Sequence, residues 1–214
     1  MKQHLVLWIK RIILLLLGLT IAHLGVTLFL QANLGSDPFN VFIQGLQRGI
    51  ASVLPIITHG WVHVGISFLI ILILLIVDRS YIRIGTLLCM VLGGPIIDAF
   101  TLLLKDVIHA ASPLPWRIAC LALGCVILAF GMTIVIKSEA GTGPNDLVAV
   151  VISDKSKKKF GIIRIIVDVC FAAIGFAFGG TVGAGTVICA FLVGPTAQLF
   201  FPISEKLCKK VLKE

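Results

Sequence analysis

The chain has 214 residues, of which 58% are hydrophobic and only 13% are charged, and its mean hydropathy is +1.10. A water-soluble domain cannot bury so much apolar surface, so the composition excludes soluble classes and predicts an integral membrane protein. The formal net charge of +8 does not indicate nucleic-acid binding, because most Lys and Arg residues flank apolar segments, as membrane topology requires. No nucleic-acid partner is therefore expected.

Six apolar segments have the length of a membrane span, which takes roughly 20 helical residues. They are residues 8–31, 60–77, 82–104, 116–136, 160–178 and 182–201. In this arrangement 14 of the 18 Lys and Arg residues lie on one side of the membrane and three on the other, with Arg164 inside a span. Basic loops stay in the cytoplasm, so both termini are predicted to be cytoplasmic in a multi-pass protein of the cell membrane. The first segment is interpreted as a retained span rather than a cleaved signal peptide.

The two halves of the sequence repeat each other. Residues 85–95 return as residues 185–195 with six of 11 positions identical, and upstream positions recur at an offset of 106. Three spans per copy would place the second copy upside down relative to the first, an arrangement typical of secondary transporters. The predicted fold is an all-α polytopic membrane protein with six transmembrane helices in two inverted three-helix repeats, residues 1–106 and 107–214. The upstream matches are Gly18, Gly25, Thr27, Gly35 and Pro38 with Gly124, Gly131, Thr133, Gly141 and Pro144.

Each copy also predicts a short helix after its first span. Asp37 followed by Pro38 is a favourable helix start, because the carboxylate can cap the helix and proline suits its first position. Gly143 and Pro144 open the matching segment in the second copy. The two short helices either dip into the bilayer as re-entrant helices or lie flat on its surface, and the sequence leaves both alternatives open.

Ionisable groups at membrane depth are costly, so each one is a candidate functional residue. Asp98 lies in the third predicted span, and its repeat mate is Gln198 in the sixth. A Gly-Pro pair precedes each of them and is predicted to interrupt its helix. The freed carbonyls beside Asp98 could bind a cation or a polar substrate, or Asp98 and Gln198 could simply satisfy a proline kink. The predicted helix-break residues are Gly94, Pro95, Gly194 and Pro195.

The fifth span carries Arg164 and Asp168, four residues apart and therefore on one helix face. They form either a static pair or a charge pair that a substrate or a proton breaks during transport. His63 aligns roughly with Arg164 in the first copy and joins it as a candidate coupling residue. His23 is expected to be a buried, hydrogen-bonded histidine, with a proton relay as the alternative.

The polar turns before the short helices supply helix caps or substrate contacts. No motif typical of an enzyme, a cofactor site or a metal site occurs, and the six cysteines lack metal-ligand spacing. The chain is therefore not expected to be an enzyme or to hold a cofactor or metal. Together with Asp98 and Gln198, the candidate substrate-binding residues are Asn33, Asp37, Asn40, Glu139, Asn145 and Asp146.

Three segments resemble a known family. They are residues 32–39 (Ala-Asn-Leu-Gly-Ser-Asp-Pro-Phe), residues 161–168 (Gly-Ile-Ile-Arg-Ile-Ile-Val-Asp), and the stretch from Gly185-Thr186 to Gly194-Pro195. They are similar to the YczE/YyaS/YitT group of bacterial integral membrane proteins, over nearly the whole chain. The resemblance implies a small multi-span protein of the bacterial inner membrane, linked in one branch to lipopeptide production, and it supplies no catalytic residues.

Three functions remain open at this point. The first is a small secondary transporter or exporter of an unidentified small molecule, with a midplane site between broken third and sixth spans, working among membrane lipids as a homodimer. The alternative is a non-transporting accessory or regulatory subunit that binds another protein. The third is a lipid-handling protein that recruits anionic lipid through the charge cluster at residues 154–159.

Overall fold

The computed structural model describes residues 2–158 and 160–212, and every regular element in that part of the chain is helical. The side-chain surroundings of residues 2–4, 160, 161, 190, 191 and 194 lie outside the description. Six long helices coincide with the predicted apolar segments, and two shorter ones with the predicted short helices. In chain order the α-helices are α1 (Lys2–Ala32), α2 (Pro38–Ala51), α3 (His59–Asp78), α4 (Ile84–Leu104), α5 (Leu114–Lys137), α6 (Pro144–Ser156), α7 (Phe160–Ala177) and α8 (Ala184–Leu212).

Four helical stretches in the described residues are long and apolar enough to cross a membrane: Leu5–Ala32, His59–Tyr81, Ile84–Leu104 and Leu114–Lys137. They correspond to the first four predicted spans. The outside of the bundle is covered by large apolar side chains, such as Ile76 on α3, which is 88% exposed. A continuous apolar exterior is the surface of a protein surrounded by lipid. The chain is a multi-pass, all-helical membrane protein.

The centre of the bundle is the contact between α1 and α5. Gly18 faces Gly131, and Gly25 faces Gly124. A Cβ atom built on Gly25 would lie 2.6 Å from the carbonyl oxygen of Gly124, and one on Gly18 would lie 2.8 Å from that of Gly131. Backbones this close tolerate no side chain between them, so small residues set the distance between the two helices.

The chain leaves α1 and α5 through similar turns. Asn33 and Glu139 adopt left-handed conformations with φ of 50° and 56°. This conformation ends an α-helix at its C-terminus. Two residues later Gly35 and Gly141 again have positive φ, 112° and 151°, which glycine adopts readily. The same backbone path therefore leads from each long helix into the short helix that follows it.

The short helices begin at the predicted residues. Pro38 is the first residue of α2, and the Asp37 side chain accepts a hydrogen bond from the backbone N–H of Asn40 at 3.3 Å. This confirms the predicted cap. Pro144 begins α6, but Gly143 precedes it and offers no side chain for capping. Both short helices therefore begin at a proline, but a capping carboxylate precedes only α2.

Each turn is bound by a long helix of the other half of the chain. The backbone N–H of Gly185, at the start of α8, donates to the carbonyl oxygen of Leu34 at 2.8 Å. The N–H of Gly85, at the start of α4, donates to the carbonyl oxygen of Ala140 at 3.0 Å. These two hydrogen bonds, called the backbone latches here, join residues more than 50 positions apart.

An arginine stabilises each latch. The Arg117 guanidinium donates to the carbonyl oxygens of Ala32 (2.6 Å) and Asn33 (3.0 Å), which would otherwise be unpaired at the end of α1. Arg11 forms an ion pair with Glu139 at 2.8 Å, at the end of α5. At each end of the bundle, an arginine therefore joins one half of the chain to the other.

The predicted interruptions at the Gly-Pro pairs do not occur in the helix backbone. Helix α4 continues through Pro95 and α8 continues through Pro195. Proline removes one backbone donor, but a membrane helix tolerates this loss when the surrounding helices pack closely. Gly94 lies against Gly60 of α3, so it serves helix packing instead of ending the helix. Gly194 lies within α8, and its surroundings lie outside the description.

Replacing Gly25 with alanine should push α1 and α5 apart, because the new Cβ meets the Gly124 carbonyl. We expect a loss of about 1–3 kcal/mol of stability, as for other overpacked cores, measured by thermal unfolding in detergent with size-exclusion detection. Gly65 is the matched control, since a Cβ there has no atom within 4 Å. Equal losses in Gly25→Ala and Gly65→Ala would contradict the close contact.

Candidate functional site

Polar side chains collect where the two short helices pack against α3 and α7. Ionisable groups inside a membrane bundle are expensive and tend to be functional. We call this set the polar cluster. It consists of His23 (α1), Asp37 and Asn40 (start of α2), His59, His63 and Ser67 (α3), Asn145 and Asp146 (start of α6), and Arg164 and Asp168 (α7).

Arg164 binds two carboxylates in this cluster. Its Nη1 donates to Oδ1 of Asp146 at 2.5 Å, and its Nε donates to Oδ2 of Asp168 at 2.9 Å. The Arg164 side chain is 28% exposed, so the pairs are largely withdrawn from the surface. The predicted contact between Arg164 and Asp168 is present, and Asp146 adds a second link from α7 to α6. Asn145 belongs to the same group, since its side-chain amide donates to Asp146 at 3.2 Å.

A second chain of hydrogen bonds joins α2 to the start of α3. The Asn40 side-chain amide donates to Oδ1 of Asp37 at 2.8 Å, and its oxygen lies 2.9 Å from Nε2 of His59. The charges of Arg164 and Asp146 act on the Asp37 carboxyl. Residues from both halves of the chain therefore share one electrostatic environment.

Two histidine rings meet between α1, α3 and α4. The centroids of His23 and His63 are 5.7 Å apart in an edge-to-face arrangement, and Phe39 lies against His63 at 5.5 Å. Nδ1 of His23 hydrogen-bonds to the Leu19 carbonyl at 2.8 Å, so the predicted hydrogen bond of His23 is present. A Cβ on Gly93 would lie 2.8 Å from the His63 ring and 3.0 Å from Nε2 of His23. Glycine at this position leaves room for both rings.

His59 and Ser67 were not among the predicted site residues. They stand four residues before and four residues after His63, so they lie on the same face of α3. A search for polar residues at helical spacing that began one residue before the second predicted span would have found them, because the rest of α3 is almost entirely apolar.

Asp98 has a structural role at the start of α3. Its Oδ1 accepts a hydrogen bond from the Gly60 N–H at 3.0 Å, and its Oδ2 accepts one from the Thr58 hydroxyl at 2.6 Å. A carboxylate is well suited to the N-terminus of a helix, where backbone donors are unpaired. Gln198 is exposed on α8, and within the described residues no hydrogen bond joins it to Asp98. The structure therefore does not assemble these two residues into one site.

The two left-handed turn residues also lie apart from the ion pairs of the polar cluster. Asn33 and Glu139 are both exposed and take part in the latches through Arg117 and Arg11. Of the predicted substrate-binding residues, those at the starts of the short helices come together, and those at the turns and in α4 and α8 do not.

A cavity of about 490 Å³ lies beside the turn after α5. Its polar lining includes Tyr81, Arg83, Glu139 and Thr142. Leu147 also lines it, next in sequence to Asp146. The cavity therefore borders the first turn of α6, where the polar cluster begins.

A further charged group at the ends of α5 and α8 lies beyond the predicted sixth span. Nζ of Lys137 is 2.7 Å from one oxygen of Glu205, and Nζ of Lys209 is 2.8 Å from the other. These hydrogen bonds, with that from Lys137 first, lower the pKa of Glu205 to about 2. Because the group is half-exposed at the surface, it adds little stability.

Within the described residues, no group of three or more His, Cys, Asp or Glu side chains is arranged to hold a metal ion. The expected absence of a cofactor and of catalytic activity stays a prediction.

Comparison with known proteins places the chain in a family. The family described as "Family of unknown function (DUF6198)" matches residues 9–202. The chain belongs to DUF6198. Its curated relatives include the "Uncharacterized protein YyaS" of Bacillus subtilis (strain 168), 28% identical over 190 residues, which is 89% of this chain and 92% of the relative.

Two further relatives are similar to this DUF6198 chain over most of their length. The "Uncharacterized membrane protein YczE" of Bacillus subtilis (strain 168) is 29% identical over 208 residues, 97% of this chain and 91% of the relative. An "Uncharacterized protein" of Haemophilus influenzae (Rd) is 27% identical over 201 residues, 92% of this chain and 86% of the relative. These matches confirm the resemblance to YczE and YyaS. No solved structure matches the chain.

Replacing Arg164 with methionine should leave the carboxylates of Asp146 and Asp168 without their partner. We expect a loss of about 3 kcal/mol of stability, the low end for a broken buried pair, measured by thermal unfolding in detergent. Lys209→Met is the matched control, because Lys209 is exposed and Glu205 retains Lys137; it should cost much less stability than Arg164→Met. An Arg164→Met variant as stable as Lys209→Met would show that the ion pairs do not hold α6 to α7.

Proposed function

We propose that this protein is a small secondary transporter built from two inverted three-span halves, with α7 and α8 as its fifth and sixth spans. The observation that carries the proposal is the polar cluster. It draws ionisable groups from both halves to the N-termini of two short helices inside an apolar bundle. Secondary transporters place their sites at repeat interfaces, next to the ends of interrupted or short helices.

Contacts that exchange partners between the halves support the inverted repeat. At the offset of 106, Gly18 corresponds to Gly124 and Gly25 corresponds to Gly131. The contacts are Gly18 with Gly131 and Gly25 with Gly124, so exchanging the halves converts one pair into the other. This is the pattern of a two-fold axis between α1 and α5.

Exchanging the two halves also converts one backbone latch into the other. Leu34 corresponds to Ala140 at the offset of 106, and Gly85 corresponds to Gly185 at the offset of 100. Arg11 and Arg117 are also 106 positions apart. In an inverted repeat the two latches lie toward opposite faces of the membrane, where they can serve as the two gates of the polar cluster.

The packing of the short helices favours the re-entrant alternative. In α2, Phe39 and Ile43 are buried against Val62 of α3, with Phe171 of α7 beside them. Helix α6 buries Ala149 against Ile163 of α7. Both short helices thus pack along membrane helices, as half-helices in transporters do.

The excess of Lys and Arg in the loops of one side supports an orientation with both termini in the cytoplasm, in a protein of the plasma membrane. The cavity beside Thr142 then opens to the cytoplasm and gives access to the start of α6. The cluster holds three carboxylates, those of Asp37, Asp146 and Asp168, and one guanidinium. Its ionised form is therefore net negative and suits a cationic or hydrogen-bond-donating small molecule. A homodimer in contact with membrane lipids is part of this proposal.

Thiol accessibility tests whether the cluster opens to water. Single cysteines would be introduced as Thr142→Cys, Asn40→Cys and Ala129→Cys in a background lacking the six native cysteines. A membrane-impermeant thiol reagent would be applied to each face of oriented vesicles. We expect labelling at 142 from the cytoplasmic face and at 40 from both faces, because alternating access exposes the cluster in turn.

Ala129 is the matched control, since it is fully buried on α5 and corresponds to His23 at the offset of 106. It should stay unlabelled. If position 40 is labelled from neither face in folded protein, the cluster is dry. The transporter proposal then fails, and the non-transporting accessory subunit becomes the better account.

A further inference from the structure

We propose that His63 and His23 form a proton-binding site, so that the coupling ion of this protein is the proton. This inference rests on the proposed transport function and names its coupling ion. Two buried polar atoms, Nδ1 of His63 and Oγ of Ser67, have no hydrogen-bond partner among the described residues. Their residues are 7% and 0% exposed and one helical turn apart.

Buried polar atoms without partners are rare, and each one calls for a specific explanation. Here the two atoms lie on one face of α3, and the His63 ring is in edge contact with His23 of α1. The ring nitrogens of both histidines can accept or donate a proton, and the Ser67 hydroxyl can do both. Three adjacent side chains therefore offer the groups that a proton relay needs.

The surroundings favour a proton over a larger ligand. Gly93 approaches both rings so closely that not even a Cβ atom fits without displacement. The large cavity is lined by other residues, around Tyr81, Arg83 and Thr142. No metal-binding group of side chains is present among the described residues. A ligand that needs almost no space and prefers nitrogen bases is a proton.

A polar path leads to this site from one end of α3. His59, His63 and Ser67 follow one another at intervals of four residues, and His59 contacts Asn40. Beyond the histidine pair, the charge of Asp146 acts on His23. Among the described residues, the charged and titratable groups that act on the pair are His59 and Asp146. Asp37, Arg164 and Asp168 lie next to Asp146 in the same polar cluster.

The step itself is a simple transfer. A hydronium ion at the His59 end gives its proton to a neutral imidazole and becomes water. The proton is held as imidazolium on His63 or His23, and it later leaves to water at the opposite face. No other bond forms or breaks, and no oxidant or reductant is involved.

Nitrogen-15 NMR of the histidine rings tests the site directly, without a known substrate. The full chain would be labelled with ¹⁵N-histidine in lipid nanodiscs and titrated from about pH 4 to about pH 9, the range in which histidine is used as a switch. Five histidines contribute signals, and single His→Gln variants assign them. We expect His23 and His63 to titrate as a coupled pair, so that His63→Gln moves the midpoint of His23 by about one pH unit or more.

His109→Gln is the control variant, because His109 is exposed in the loop between α4 and α5. It should leave the midpoint of His23 unchanged. The reciprocal variant, His23→Gln read at His63, keeps the test usable if His63→Gln does not fold. The proposal is overturned if both rings stay neutral throughout the range, or if each titrates independently of the other.

The titration and the thiol-accessibility experiment distinguish a failure of the proton site from a failure of the transport function. Coupled titration together with a cluster that never opens to thiol reagents would leave a proton site in a protein that does not transport. Accessibility of position 40 without coupled titration would leave a transporter whose coupling ion is not held by these histidines.

Discussion

The close approach of α1 and α5 is the contact on which the rest of the structure depends. Gly18, Gly25, Gly124 and Gly131 let two membrane helices touch through their backbones. Lipid tails are as apolar as leucine, so association in a membrane relies on this kind of close packing and not on the hydrophobic effect. With α1 and α5 fixed, the turns that follow them lie within reach of α8 and α4, and the latches can form.

The second constraint is that polar groups inside a membrane bundle must find partners. Most of the cluster obeys it through internal bonds: Arg164 holds Asp146 and Asp168, and Asn40 joins Asp37 to His59. In the part of the chain that the structure describes, the exceptions in the cluster are Nδ1 of His63 and Oγ of Ser67. When the two halves are aligned, His63 falls roughly opposite Arg164. The second half therefore has an ion pair at the position where the first half has buried atoms without partners. This difference between the halves locates the proposed proton site.

The sequence predicted the helices well because length and hydropathy determine spans, and because Pro38 and Pro144 mark helix starts by local chemistry. It also predicted the Arg164–Asp168 contact, since helical spacing alone brings those residues together. It could not predict that Asp98 caps α3, because this depends on how α4 packs beside Gly60. Nor could it predict that α4 continues through Pro95, because this also depends on packing. Proline removes a donor everywhere, but whether the helix continues is decided by its neighbours.

In the proposed transport cycle, the two latches open in alternation around the polar cluster. Distances between paired spin labels test it most directly in nanodiscs, at positions 33 and 184 for one latch and at 139 and 84 for the other. These pairs correspond to each other in the repeat. The account predicts two populations at each latch whose proportions change in opposite directions as the pH is lowered. A single, unchanging distance at both latches would contradict alternating access and leave the cluster as a static element of the fold.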